Sequence, residues 1–200
     1  MKKFDNGDLR VCIFPSLVYV LDCSDLVEDV KALLTDDIEW SDSPIHGQTT
    51  DLYILTNKKP ELVKSFEDRI NASLEECKFE NTFQMTTSWF TRIAPYGHIE
   101  THKHGNCIWS SVFYFEEDCG ALTFMKESQS IYVPQSNNNP YLAMDGDVTF
   151  PCEKGKLLLF PSHLQHKLSM NNRSDIRYSM AMNYMPKGQV TIGDSSFNYG

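Results

Sequence analysis

At a net charge of −9 and a pI near 5.1, this 200-residue chain disfavours binding to phosphate backbones, and no run of Lys and Arg offsets that balance. Its 41% hydrophobic, 22% charged and 12% aromatic composition suits one folded domain with a well-formed core and argues against disorder. No stretch approaches the roughly 18–20 apolar residues of a membrane span, MKKFDNGDLR lacks the apolar run of a signal peptide, and six scattered cysteines without a CxxC pair point to reduced thiols in a cytoplasmic protein.

In chain order, CIFPSLVYVL has the apolar character of a strand bounded by polar residues. The period then changes. Leu26, Val27, Val30, Leu33 and Leu34 form one helical stripe, with Asp25 placed to cap it and Glu28 as its capping-box partner. Pro60, at a favoured first-turn position, opens a second helix with Leu62, Val63, Phe66, Ile70 and Leu74 on one face. The ordinary reading of both stripes is core packing. The sequons at Asn71 and Asn172 are chance matches in a chain without a secretion signal.

From about residue 83 the chain reads as strands: FQMTTSWFTRIA, CIWSSVFYFEE, ALTFMKE, SIYVP, DVTFP, GKLLLFP and IRYSMAMNYM, separated by Gly, Pro, Asn and Asp. QSNNNPY reads as a flexible loop, a candidate for the rim of a site. Strands in this number after two helices predict a mainly β fold, a jelly roll with the helices packed on one sheet. The expected organisation is a single domain over 1–200, with helical support to about 82 and the jelly-roll core over about 83–190.

Half of the six histidines fall in GHIETHKHGN, as His98, His102 and His104. On a strand, the two-residue spacing of His102 and His104 sends both side chains to one face, as a shared metal requires. A third ligand must come from elsewhere. His166, which follows the apolar GKLLLFP and its turn, is the candidate, and His163 competes with it. Histidines are also common as surface or hydrogen-bonded core residues, and HxH alone is a weak signal; with a later His in an all-β frame it points to a metal.

RYSMAMNYM sharpens this. Alternation puts Arg177, Ser179, Ala181 and Asn183 on one face and Tyr178, Met180, Met182 and Tyr184 on the other. An inward arginine needs an anion, and its planar fork suits a carboxylate. The plainer alternative is a structural ion pair with one of the chain's 27 acidic residues. A metal with open positions beside an arginine-bound carboxylate is what a 2-oxoacid-dependent iron site requires.

SWFTRIAPYGHIETHKHGNCIWSSVFYFEEDCGALTF resembles the Trp-containing strand, HxH element and Ser-rich aromatic strand of a 2-oxoglutarate/Fe(II) oxygenase family found in bacteria and marine phages. GKLLLFPSHLQHKL followed by RYSMAMNY resembles the distal-His and Arg-x-Ser elements of the same family, within the prolyl-hydroxylase-like superfamily. The resemblance implies a double-stranded β-helix (jelly roll), Fe(II) as cofactor, and 2-oxoglutarate and O2 as cosubstrates. The implied activity is hydroxylation of a C–H bond on a peptide or small molecule, in the host cytoplasm if phage-encoded. It further implies His102, His104 and His166 as metal ligands, with Arg177 and Ser179 binding the 5-carboxylate end of the oxoacid. His104 stands where the superfamily usually has Asp or Glu, and His98-Ile-Glu100 is the alternative that would supply a carboxylate. Asn183 and Trp109 are candidates to shape the pocket, although both types are more often packing residues.

Two rivals remain at this stage. A cupin-type protein (a three-histidine dioxygenase, isomerase or sugar-binding module) would share Gly155, Pro161 and His166 with the second cupin motif, but His163 replaces its usual glycine and the glutamate after HxH is missing. A β-sandwich interaction module stapled by zinc would need a closed four-ligand site. Arg177-Tyr178-Ser179 after the distal His favours the oxoacid reading.

Overall fold

The computed structural model describes residues 2–3, 9–10, 16–45, 47–126, 147–192 and 194–199. The chain begins with a two-stranded ribbon, β1 (Lys2–Lys3) and β2 (Leu9–Arg10). β3 (Tyr19–Asp22) follows, the described part of the strand expected from CIFPSLVYVL, whose residues 12–15 lie outside the described residues. A 3-10 turn at Ser24–Leu26 leads into α1 (Val27–Lys31); then come β4 (Ser41–Asp42), β5 (Gln48–Thr49), the short α2 (Ile54–Lys58) and α3 (Pro60–Leu74). Pro60 stands in the first turn of α3 as expected.

Asp25 does not cap α1. No side-chain cap bonds form there; Asp25 pairs with Arg69 of α3 instead, while Asp22 accepts hydrogen bonds from the Ser24 backbone N–H (3.0 Å) and hydroxyl (2.6 Å). A charged partner 44 residues away outcompetes a local amide, a contest that local sequence does not reveal.

The strands from residue 83 are β6 (Phe83–Ile93), β7 (Ile99–His102), β8 (Trp109–Phe113), β9 (Ala121–Phe124), β10 (Val148–Pro151), β11 (Lys156–Pro161), β12 (His166–Leu168) and β13 (Arg177–Pro186). They form two facing antiparallel sheets. One carries the order β3-β11-β8-β13-β6-β5-β4, the other β10-β9-β12-β7. The chain alternates between them: β6, β8, β11 and β13 in the larger, and β7, β9, β10 and β12 in the smaller. This is the expected jelly roll. The segment before residue 83 contributes more than helices, because β3 and the β5-β4 pair extend the larger sheet at both edges. SIYVP and QSNNNPY lie outside the described residues.

Two apolar layers hold these elements. On the outer face of the larger sheet, Leu62, Phe66, Ile70 and Leu74 of α3 and Val27 and Val30 of α1 pack against Phe90, Phe113, Met180, Met182 and Tyr184. Phe66 meets Phe113 edge to face at 5.5 Å. Between the sheets lie Ile93, Ile99, Leu122, Phe124, Leu158, Phe160 and Leu168. Each such side chain contributes roughly 1.5–3 kcal/mol by leaving water.

Asn71 ties α3 to β6, accepting from the Phe83 N–H (2.7 Å) and donating to the Phe83 carbonyl (2.8 Å). Its sequon is therefore structural. After β13 a hairpin of β14 (Gly188–Ile192) and β15 (Ser195–Tyr199) is tethered by Asn81 and Gln84. The five described cysteines are unlinked, and no described helix is long and apolar enough to cross a membrane.

Candidate metal and oxoacid site

Strand pairing brings the histidines together. β12 runs antiparallel to β7 with His166 opposite His102, and their rings lie 4.3 Å apart. The expectation of both HxH residues on one strand is half met: β7 ends at His102, and the His104 N–H leaves the ladder to bond the Ser162 carbonyl at 3.0 Å. That turn swings the His104 ring back toward His102, with their Nε2 atoms 3.3 Å apart. One ring nitrogen from each of His102, His104 and His166 lies within 4.8 Å of the others.

The opposite side of each ring is held by an oxygen acceptor. Nδ1 of His102 donates to the Glu100 carbonyl, that of His166 to the Leu164 carbonyl and that of His104 to Asn183 Oδ1, each at 2.8 Å. These bonds put the proton on Nδ1 and leave the Nε2 lone pairs facing inward. Burial pushes His166 down to about 3 and lowers His102 and His104 as well, so the rings stay neutral, as metal ligands must be. Converging lone pairs without a proton between them repel one another. A cation relieves that repulsion, so the donor set fits a metal. Trp89, from the inner face of β6, stands against His104 at 5.8 Å.

The other histidine candidates lie elsewhere. His98 pairs with Glu100 at 3.5 Å, both about half exposed, and neither belongs to the cluster. His163 is exposed on the turn before β12. Among the described residues the cluster has three donors, one fewer than a closed zinc staple needs.

Register in β13 confirms the two faces read from RYSMAMNYM. Arg177, Ser179, Ala181 and Asn183 stand opposite Ile93, Thr91, Trp89 and Thr87 of β6, while Met180, Met182 and Tyr184 enter the helix-side core. Arg177 is 2% exposed. Its Nη2 donates to the Ser169 carbonyl at 2.8 Å, but Nε and Nη1 have no hydrogen-bond partner among the described residues. The structural ion pair is made by a different residue, Arg173, with Glu116 and Asp175. Burial lowers the Arg177 pKa without offering the charge a carboxylate. A guanidinium left in that state costs several kcal/mol, which an incoming anion would offset. Ser169 lies three residues beyond His166, roughly 10 Å of extended chain.

Two neighbours of Arg177 escaped the sequence reading. Tyr114 is fully buried just past β8; its hydroxyl has no hydrogen-bond partner among the described residues, and the Arg177 charge acts on it. The Cys152 thiol lies beside that hydroxyl outside hydrogen-bonding geometry. Gly120 has φ +78°, and a Cβ there would fall 2.8 Å from Arg177 Nη1, so glycine alone lets the chain pass so close. Three orphaned donors around one buried guanidinium fit a carboxylate. Ser179, 6% exposed, lies on the same face. Trp109 does not shape this pocket: it packs on the helix side against Tyr19, Phe79 and Phe83.

Residues 87–183 match the family model described as "Putative 2OG-Fe(II) oxygenase". The match is to a 2-oxoglutarate/Fe(II) oxygenase family and spans the segment that holds all three clustered histidines, Arg177 and Ser179. Iron and 2-oxoglutarate are the metal and cosubstrate that this family match names, and the three-histidine cluster fits the metal. No curated protein matches the oxygenase. Solved structures share its fold at low identity. A Pseudomonas putida prolyl-4-hydroxylase is 15% identical, with TM-score 0.60 over 86% of this chain and 93% of that one. HygX from Streptomyces hygroscopicus, with nickel and 2-oxoglutarate bound, is 13% identical, with TM-score 0.57 over 84% and 82%. The epimerase SnoN from nogalamycin biosynthesis, in complex with Fe3+, alpha ketoglutarate and nogalamycin RO, is 13% identical, with TM-score 0.60 over 84% and 78%.

Proposed function

We propose that this oxygenase hydroxylates a C–H bond of a protein or peptide residue in the cytoplasm, with Fe(II) held by His102, His104 and His166 and 2-oxoglutarate anchored by Arg177 and Ser179. The observation that carries the reading is the presence, within one jelly roll, of three converging imidazoles and a buried arginine whose Nε and Nη1 have no hydrogen-bond partner among the described residues. Bound iron supplies the oxygen-activating redox chemistry. The protein's own groups do the rest. The three rings would hold the metal through neutral nitrogen donors. Arg177 and Tyr114 would offer the far carboxylate of the oxoacid three donors, and Ser179 a hydroxyl on the same face. The inter-sheet layer of Ile93, Leu158 and Phe160 makes the surroundings apolar. The prolyl-4-hydroxylase among the structures that share the fold supports a peptide substrate, and SnoN with nogalamycin RO bound supports the small-molecule alternative. The domain is taken as single over 1–200, its jelly-roll core over about 83–190.

Turnover tests this. Purified protein with Fe(II) and 2-oxoglutarate should consume O2 and form succinate, slowly alone and faster with the right peptide. Iron-loaded protein that forms no succinate, alone or with peptide pools, would exclude the reading.

A further inference from the structure

The three rings are not held alike. His102 and His166 lean on backbone carbonyls, whereas His104, past the end of β7, is held by a side chain. That side chain is itself fixed from two other strands. Asn183 Nδ2 donates to Thr87 Oγ1 of β6 at 3.1 Å, which turns Oδ1 toward His104. The Ser110 hydroxyl of β8 donates to the same Oδ1 at 2.7 Å, lies 3.2 Å from His104 Nδ1, and takes the Ser162 hydroxyl at 2.8 Å. Ser110 and Ser162 are essentially inaccessible to water. The register of β13 on β6 also slips between Asn183 and Tyr184, where β6 carries the extra residue Thr86. Such bulges re-aim side chains, and this one lies at the residue that meets His104.

We propose that Asn183, set by Thr87 and Ser110, is a positioning residue that makes His104 a metal ligand. It fixes the Nδ1–H tautomer and the ring plane, so that an imidazole serves where a carboxylate would otherwise stand. The proposal rests on the three-histidine reading above. A neutral amide, rather than an aspartate, behind His104 keeps that ring an imidazole donor, and the site gains no negative charge from it.

The test is metal affinity, read by anaerobic Fe(II) competition titration and by the visible spectrum of the Co(II)-loaded protein. Asn183→Ala should weaken binding by about 10- to 100-fold. Asn183→Asp, which restores an acceptor for both His104 and Ser110, should recover affinity to within about threefold while shifting the Co(II) spectrum. Unchanged affinity in Asn183→Ala, or Asn183→Asp as weak as the alanine variant, would overturn the proposal. Should Asn183→Ala fail to fold, the near-isosteric Thr87→Val carries the test: it should lose about tenfold, Thr87→Ser should not, and equal affinities would overturn it. His104→Ala is the control. Lost binding there with intact binding in Asn183→Ala refutes the positioning role alone; intact binding in His104→Ala refutes the ligand reading itself.

Discussion

His166→Ala is expected to lose Fe(II) binding by more than about 100-fold, beyond the range for residues that merely support a ligand. His166 lies opposite His102 in the β7–β12 ladder, is 2% exposed, and among the described residues shares the cluster only with His102 and His104. His102→Ala should behave the same way. Glu100→Ala and His163→Ala should stay within about twofold of the unsubstituted protein, because neither side chain belongs to the cluster. Anaerobic iron titration of the four variants checks the set. A Glu100 variant that loses iron while His102→Ala keeps it would move the site to His98 and Glu100. The metal-free protein should also be acid-sensitive in a defined direction. Folded His166 refuses a proton down to about pH 3, whereas the unfolded chain accepts one near 6.5. Unfolding therefore takes up protons below about pH 6.5, and stability falls as pH is lowered from there.

Arg177→Leu is expected to weaken 2-oxoglutarate binding by about 2–5 kcal/mol, roughly 30- to 5,000-fold, while leaving iron affinity nearly unchanged. The sign of its effect on stability separates this role from a structural one. Nε and Nη1 of Arg177 have no partners among the described residues, so replacing the side chain with leucine removes a poorly compensated buried charge. The oxoacid-free variant should then be as stable as the parent or more stable, by up to about 1–4 kcal/mol in urea unfolding. A residue serving a structural ion pair, as Arg173 does with Glu116 and Asp175, would destabilise the fold when replaced. Isothermal titration with 2-oxoglutarate on the metal-loaded variant, with unfolding of the same preparation, reads both. Unchanged oxoacid affinity would exclude Arg177 from the site.

The faces of β13 were legible because a strand's side chains alternate with period two. One inward arginine among small polar residues was enough to assign both faces before any partner strand was known. The helical stripes of α1 and α3 were legible for the equivalent reason at period 3.6. What local pattern could not give was pairing across the sheet. The His102–His166 opposition depends on register between segments 64 residues apart in sequence, and the reach of His104 depends on a carbonyl at Ser162. Tyr114 was hidden because SSVFYF is buried on both faces, so it shows no alternation to mark which side faces the cavity. Trp109 was misplaced for the same reason. The missing signal there was the parity shared with Phe113, which packs on Phe66 of α3. Asp25 failed as a cap because Arg69, far along the chain, claimed it.

One measurement bears most directly on the central claim that three histidines and Arg177 assemble an iron and 2-oxoglutarate site. Under anaerobic conditions the protein should develop a visible metal-to-ligand charge-transfer band only when both Fe(II) and 2-oxoglutarate are present. The band should vanish in His166→Ala and require far more oxoacid in Arg177→Leu. Iron-loaded protein that shows no band at saturating 2-oxoglutarate would contradict the account.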